Sequence, residues 1–343
     1  MNLSYRTRRN LQNFGIFVLI LLLLAVVVWA VWMLWLDRYV VYTSDGAKLN
    51  FNLSVEDLSG ESAVSPNTAE TVSIYYNEGE NAVNTSTDLT QVTGYYIDSD
   101  MLAKEIDLVL EQVQLLPNGT PVMIDMKDAK GCFYYITTLS SHNPSGVDLD
   151  TVTDLLRLLK KKDCYLIARV SAFRDYFYGL ENVSHGLFHR SRQYLWQDSG
   201  RCYWLNPSSE GTLVYLMQTA TEIKALGFDE LVFGNFYFPD TSDIYFTGDK
   251  ASAIANAANR LVETCGSENF CISFVSNTPD FSLPAGRTRL YLENQSASAV
   301  NSLAQAATVP DKTVNLVFLT EVNDTRFDAY GVLRPITAAQ LEQ

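Results

Sequence analysis

Asp125 and Lys127 stand two residues apart in the apolar run 121–127, so strand alternation puts both on one face. An acid and an amine sharing a face make either a substrate site or a structural ion pair. Arg169 lies inside a second apolar run, 164–170. A guanidinium among apolar neighbours is costly unless an acid partners it. Asp125 or Glu230, each on a neighbouring run, can supply that acid, and the pair can hold a substrate or tie two strands together. His185 and His189 have the i, i+4 spacing of a helical metal pair, but Gly186 interrupts the helix and no third ligand is near. The five cysteines show no CxxC spacing, so neither a metal nor a cofactor is expected. Cys265 and Cys271 are close enough in the chain to pair around a turn; the alternative is that all five are small buried apolar residues.

The elements that would position these groups repeat along the chain. Apolar runs at 92–98, 121–127, 164–170, 230–236, 271–277, 289–294, 314–320 and 330–334 read as strands. Between them lie helical patterns. In 99–116 apolar residues fall at Leu102, Ile106, Leu110, Val113 and Leu116, with Asp98 or Ser99 as the cap. Further helices are expected at 149–160, 210–226, 251–264 and 296–307, the second of them stopping at Gly227. Apolar strands alternating with amphipathic helices imply a parallel sheet with right-handed crossovers. Such units over about 250 residues fit an α/β fold of the (β/α)8 TIM-like barrel kind. A doubly wound open sheet is the alternative, and no GxGxxG follows the first strand to support its dinucleotide-binding version. In a barrel, functional side chains lie at the C-terminal strand ends and in the loops that follow. The long stretch 171–210 is aromatic, with Tyr176, Phe177, Tyr178, Phe188, Tyr194, Trp196, Tyr203 and Trp204. Over a barrel mouth such rings can stack on sugar faces, or they can fill the loop's own small core. Trp196 and Trp204 are the ligand candidates among them.

The N-terminal region has a different character. Residues 14–36 carry no charge over 23 positions, roughly 34 Å of helix, enough to cross a hydrocarbon core of about 30 Å. Trp29, Trp32 and Trp35 near its end fit an interfacial belt, and the tail 1–13 holds Arg6, Arg8 and Arg9 without an acid. The expected layout is a cytoplasmic tail 1–13, a transmembrane helix 14–36, a stalk with short strands 37–90, and an extracytoplasmic barrel 91–343. A cleaved signal peptide would have a shorter apolar region and a small-residue cleavage site. The chain carries −14 overall and the tail +3, so the remainder is near −17. An acidic surface argues against nucleic-acid binding, which needs a basic footprint. The expected partner is the membrane, through the N-terminal helix.

Several segments together resemble a known family. They are Ile124-Asp125-Met126-Lys127-Asp128, then Ile167-Ala168-Arg169-Val170-Ser171-Ala172-Phe173-Arg174-Asp175, then Tyr203-Trp204-Leu205-Asn206-Pro207, then Gly227-Phe228-Asp229-Glu230-Leu231 through Phe238-Pro239. They are similar to a bacterial family of glycoside-hydrolase-type TIM-barrel domains, distantly alpha-amylase-like. The resemblance covers about 90–335 and is strongest over 121–239. It implies a polysaccharide ligand and a site at the barrel mouth. Glycosidases of most families use two carboxylates flanking the sugar bond. The family's fourth strand carries Glu, Gln and Asp facing inward; here those positions are Glu230, Val232 and Gly234, and the family's Arg is Tyr237. Asn235 cannot replace the lost Asp as an acid, and alternation points it away from the lumen. The carboxylates left for catalysis are Asp125, Glu293 and Glu321. Lys127, Arg169, Asp175, Trp196, Trp204 and Glu230 are the expected substrate contacts. Three readings follow: a barrel that binds carbohydrate without turnover, a glycosidase with relocated carboxylates, and an envelope scaffold.

Overall fold

The computed structural model describes residues 40–43, 46–49, 89–276 and 278–337. Contacts divide the chain into two units, Met1–Glu78 and Gly79–Gln343. In the first, β1 (Val40–Thr43) and β2 (Gly46–Leu49) pair as an antiparallel hairpin. The expected transmembrane helix at 14–36 and most of the expected stalk 37–90 lie outside the described residues. Among the described residues no helix is long and apolar enough to cross a membrane.

The second unit is a closed barrel of eight strands. They are β3 (Thr93–Ile97), β4 (Val122–Lys127), β5 (Leu166–Ser171), β7 (Glu230–Gly234), β9 (Cys271–Ser276), β10 (Leu290–Glu293), β11 (Leu316–Leu319) and β12 (Gly331–Pro335). All neighbours are parallel, and β12 pairs back onto β3. Two short strands, β6 (Phe188–His189) and β8 (Ile244–Tyr245), pair antiparallel outside the barrel. The eight expected strands are therefore the eight barrel strands. Their near-continuous apolar sequence follows from burial on both faces, as in any fully covered parallel sheet. Met123, Ile167, Val232, Val275, Tyr291, Val317 and Leu333 fill the lumen. The opposite faces pack on the surrounding helices, each fully buried large aliphatic side chain contributing roughly 1.5–3 kcal/mol. The helix Leu149–Lys161 shows the pattern. Asp148 accepts from the Asp150 N–H at its start, Lys160 and Lys161 lie in its last turn, and Val152, Leu155, Leu156 and Leu159 form the buried face.

The structure departs from the sequence pattern in several places. The expected helix over 99–116 is two, Ser99–Lys104 and Ile106–Leu115, because Glu105 leaves the helical region (φ −130°, ψ 22°). The stretch 171–210 holds a helix at Tyr176–Glu181 and a short 3-10 turn at Val183–His185. The helix expected at 296–307 shortens to Val300–Ala306, and a one-turn helix, Lys312–Asn315, capped by Asp311, occupies the start of the run read as a strand from 314. All five cysteines are free thiols, and the Cys271 thiol donates to the Arg287 carbonyl (3.0 Å), not to Cys265.

Candidate functional site

Three strands carry chemistry at two heights. β7 begins at Glu230 and ends at Gly234. β10 is flanked by Arg289 at its start and ends at Glu293. β5 follows Tyr165 and carries Arg169 four residues on. A four-residue step along a strand is about 13 Å. Tyr165, Glu230 and Arg289 therefore form a layer at the base, and Arg169, Gly234 and Glu293 a layer at the mouth. Ile167, Val232 and Tyr291 lie between them.

At the mouth Arg169 is held from two sides. Its Nε and Nη2 donate to the two oxygens of Asp125, at 2.5 and 2.9 Å, and its Nη1 donates to Glu293 Oε1. The Ser99 N–H, at the start of the helix after β3, donates to the second Asp125 oxygen at 3.0 Å. Asp125 thus has both oxygens engaged, whereas Glu293 is a third exposed and engages Arg169 through one oxygen only. Burial opposes the Arg169 charge, but the Asp125 and Glu293 carboxylates outweigh it and raise its pKa, so it stays a cation. The cluster opens into a cavity of about 240 Å³ bordered also by Asp128, Ser171, Gly234 and Asn235. Tyr96 on β3 belongs to this region. Burial first, then the Glu321 carboxylate, push its hydroxyl up to about 12. Glu321 itself is exposed beyond the end of β11.

Gly234 is the gap in this ring. A Cβ built there would find Val170 O at 3.7 Å and Arg169 Cγ at 4.0 Å, ordinary contact distances. The position has room for a Cβ and lacks one. Asn235 does not point away from the site as alternation predicts. Its φ of +50° turns the chain at the strand end, and it lines the cavity while donating to Ser171 Oγ at 2.9 Å. Asp125 and Lys127 both line the cavity, as their alternation predicts, although the β4–β5 register shifts between them. Lys127 is buried. It pairs with Asp175 and donates to the Ser171 carbonyl, both at 2.7 Å, with the Phe133 and Tyr215 rings around it. Asp175 is fully buried, accepting also from the Tyr215 hydroxyl and from the Tyr178 N–H at the head of its helix. Gly131 makes this possible: with φ +89°, its Cβ would fall 2.2 Å from Asp175 Oδ1. The Lys127–Asp175 pair is thus a buried clamp between β4, β5 and the aromatic loop.

Glu230 is sealed at the base. One oxygen accepts from Ser273 (2.6 Å) and Tyr291 (2.9 Å), the other from Tyr165 (3.1 Å) and from Arg289. Arg289 spends its remaining donors on the Val314 and Thr90 carbonyls. Both charged side chains are essentially inaccessible. Sequence reasoning gave Glu230 to Arg169 or to a substrate and missed Arg289, although Arg289 beside Leu290-Tyr291-Leu292 carries the same signal as Arg169, a guanidinium at an apolar strand. Of the loop aromatics, Trp204 is buried and its indole N–H donates to Asp198 (3.0 Å), which also pairs with Arg174. Trp196 is half-buried against the main core. Trp204 also packs on Tyr237, beyond β7, with ring centroids 5.0 Å apart, and Tyr178 stacks on Tyr215 at 3.8 Å.

A family model described as "Putative glycosyl hydrolase domain" matches residues 92–268, just over half of the chain. Solved structures are similar in fold. A hypothetical protein from Ruminiclostridium thermocellum is 17% identical, with 52% of this chain and 96% of that one covered and a TM-score of 0.45. An inactive mutant of the GH20 exo beta-N-acetylglucosaminidase from Vibrio harveyi is 9% identical over 71% of this chain and 50% of that one, TM-score 0.48. The GH36 alpha-galactosidase AgaA from Geobacillus stearothermophilus, in complex with raffinose, is 10% identical over 73% and 39%, TM-score 0.48. This chain spans half or less of those two enzymes. No curated protein matches it.

Proposed function

The chain belongs to that family of glycosyl hydrolase domains, and from this premise we propose that its barrel mouth holds carbohydrate without cleaving it. The carrying observation is Gly234, a mouth position where a Cβ would fit but no carboxylate stands. Asp125 adds support, since it spends both oxygens on Arg169 and Ser99. Hydrolysis with retention or inversion needs one carboxyl to donate a proton and another to attack or to activate water. An acid tied to a guanidinium at both oxygens suits neither role. The same tied groups are good ligands for sugar hydroxyls, being fixed before the ligand arrives. The proposal includes display outside the cytoplasm through a helix at 14–36, supported by its apolar length and the basic tail.

The test uses the full chain in detergent micelles against a panel of soluble polysaccharides. Binding in affinity electrophoresis without release of reducing ends is the expected result. Release well above the protein-free rate would overturn it. One observation favours a second reading, in which the protein is a glycosidase: Glu293 keeps an oxygen clear of Arg169 and shares a cavity with Asp125. Under that reading Glu293→Gln abolishes the release. For the anchor, protease added outside intact cells should digest the barrel and spare the tail; full protection would exclude an extracytoplasmic barrel.

A further inference from the structure

The mouth cavity is not the largest concavity at this end of the barrel. A groove of about 450 Å³ lies beside it, between the loop after β7 and the loop after β9, against the start of the helix Lys250–Cys265. The two are walled by one continuous segment: Gly234 and Asn235 border the mouth, and the residues from Phe236 onward border the groove. From Asn235 to Phe238 the chain spans at most about 10 Å. Mouth and groove therefore share this segment as a wall.

We propose that this groove is a second sugar subsite, so that the natural ligand is a chain of several sugars, neutral in charge. This rests on the carbohydrate reading of the mouth and specifies its ligand. Tyr237, Phe238 and Phe281 give the groove half-buried rings, while Asp240 and Asp280 are exposed on its border. Rings below and oxygen acceptors around suit a molecule with a C–H face and hydroxyls at its edge, as in ligand sites with an apolar lining and few polar groups. Charge narrows the class. Lys250 is the groove's cation, and its ammonium lies over the Phe238 ring (4.9 Å) and donates to the Thr241 carbonyl (3.2 Å). Asp240 and Asp280 have no ion-pair partner among the described residues. A uronic acid placed here meets two carboxylates, whereas a neutral sugar meets two hydrogen-bond acceptors.

Calorimetric titration of the full chain tests this, with cello-oligosaccharides and N-acetylglucosamine oligomers of one to six sugars and with oligogalacturonides of matched length. Affinity in one neutral series should rise at least tenfold from one sugar to three, and the galacturonides should bind at least tenfold more weakly than neutral chains of that length. Tyr237→Ala should flatten the length dependence and leave the single-sugar affinity. Asp280→Lys, at an exposed position with no packing role, should narrow the gap between neutral and acidic chains. Affinity independent of length, or a length gain that survives Tyr237→Ala with the Asp280→Lys discrimination unmoved, would overturn the second subsite and leave the mouth reading standing. Absence of binding in every series, the single sugars included, would overturn both.

Discussion

The barrel contains two arginine–carboxylate clusters about 13 Å apart along the same strands, and they have been finished differently. At the base, Glu230 and Arg289 are inaccessible, and each of their side-chain nitrogens and oxygens finds a partner in the protein. At the mouth, Arg169 stands between Asp125 and Glu293 with about a quarter of its side chain exposed, beside a cavity and an empty position at Gly234. A cluster with no spare valence can only hold strands together. A cluster with an open edge can also hold a ligand. The same residue types therefore carry structure at one end and are free for recognition at the other, and what separates them is access to water.

The largest expected effect lies at the base. Glu230→Ala leaves the Arg289 guanidinium buried without its acid, which should cost about 3–5 kcal/mol in guanidinium denaturation. The double replacement Glu230→Leu with Arg289→Met should recover most of that loss, because the pair's mutual attraction largely offsets its own desolvation. A loss below about 1 kcal/mol for the single variant would mean that water reaches the base, and the contrast between the two clusters would fail.

Arg169→Met comes next. It strands Asp125, whose oxygens are mostly shielded, and should cost roughly 1–3 kcal/mol. Unlike the base variants it should also weaken polysaccharide retention in affinity gels at least tenfold. Full retention with the same stability loss would make the mouth cluster a second structural pin.

Much of this fold was legible in the sequence, and the reason is periodicity. Eight apolar runs separated by helical patterns name a closed parallel barrel, and the eight barrel strands follow those runs to within a few residues. The Arg169–Asp125 pair was legible too, because an arginine within Ile167–Val170 demands an acid on an adjacent strand. What alternation could not supply was height and local irregularity. Glu230 shares the inward face with Gly234 yet lies at the other end of the strand, so direction alone misplaced it. The positive φ of Asn235 re-aims one side chain and leaves no trace in residue type. The loop aromatics carry no sign of whether they face a ligand or one another.

A third charged cluster, at the edge of the aromatic loop, falls between the two extremes and reports through pH. Burial alone would raise the Asp198 pKa, but Arg174, the Cys202 N–H and the Trp204 indole outweigh it and lower it to about 2. A carboxylate depressed in the folded state stabilises above its unfolded pKa, near 4, and loses that contribution as pH falls toward 2. The loop should therefore loosen between about pH 4 and 2, with up to about 2 kcal/mol at stake. Trp204 fluorescence can follow it, since its N–H bonds to the titrating oxygen. In Asp198→Asn that step should vanish; an unchanged acid transition would place the acid-labile group elsewhere.

The smallest stability effect, and the sharpest test of the contrast, is at Gly234. Near the base, glycine is enforced by packing: a Cβ at Gly94 would come within 2.0 Å of the Pro121 carbonyl oxygen. At Gly234 the nearest atoms are 3.7 and 4.0 Å away. Gly234→Ala should thus change stability by under about 1 kcal/mol, and with either sign, because replacing glycine by alanine where the backbone allows it stabilises by roughly 0.4–1 kcal/mol through the unfolded chain. Gly234→Asp adds a carboxylate beside Arg169 at similarly small cost. If the mouth is a binding site that lacks only this acid, Gly234→Asp should release reducing ends from a polysaccharide that the unaltered protein merely retains. Adding Glu293→Gln to that variant should remove the gain while leaving retention, since Glu293 has the carboxyl oxygen not tied to Arg169. Release by Gly234→Asp that survives Glu293→Gln would assign the second carboxyl to Asp125 or Glu321. A destabilisation of several kcal/mol from Gly234→Ala would show instead that the mouth is packed as tightly as the base, and that the open edge is not there to be filled.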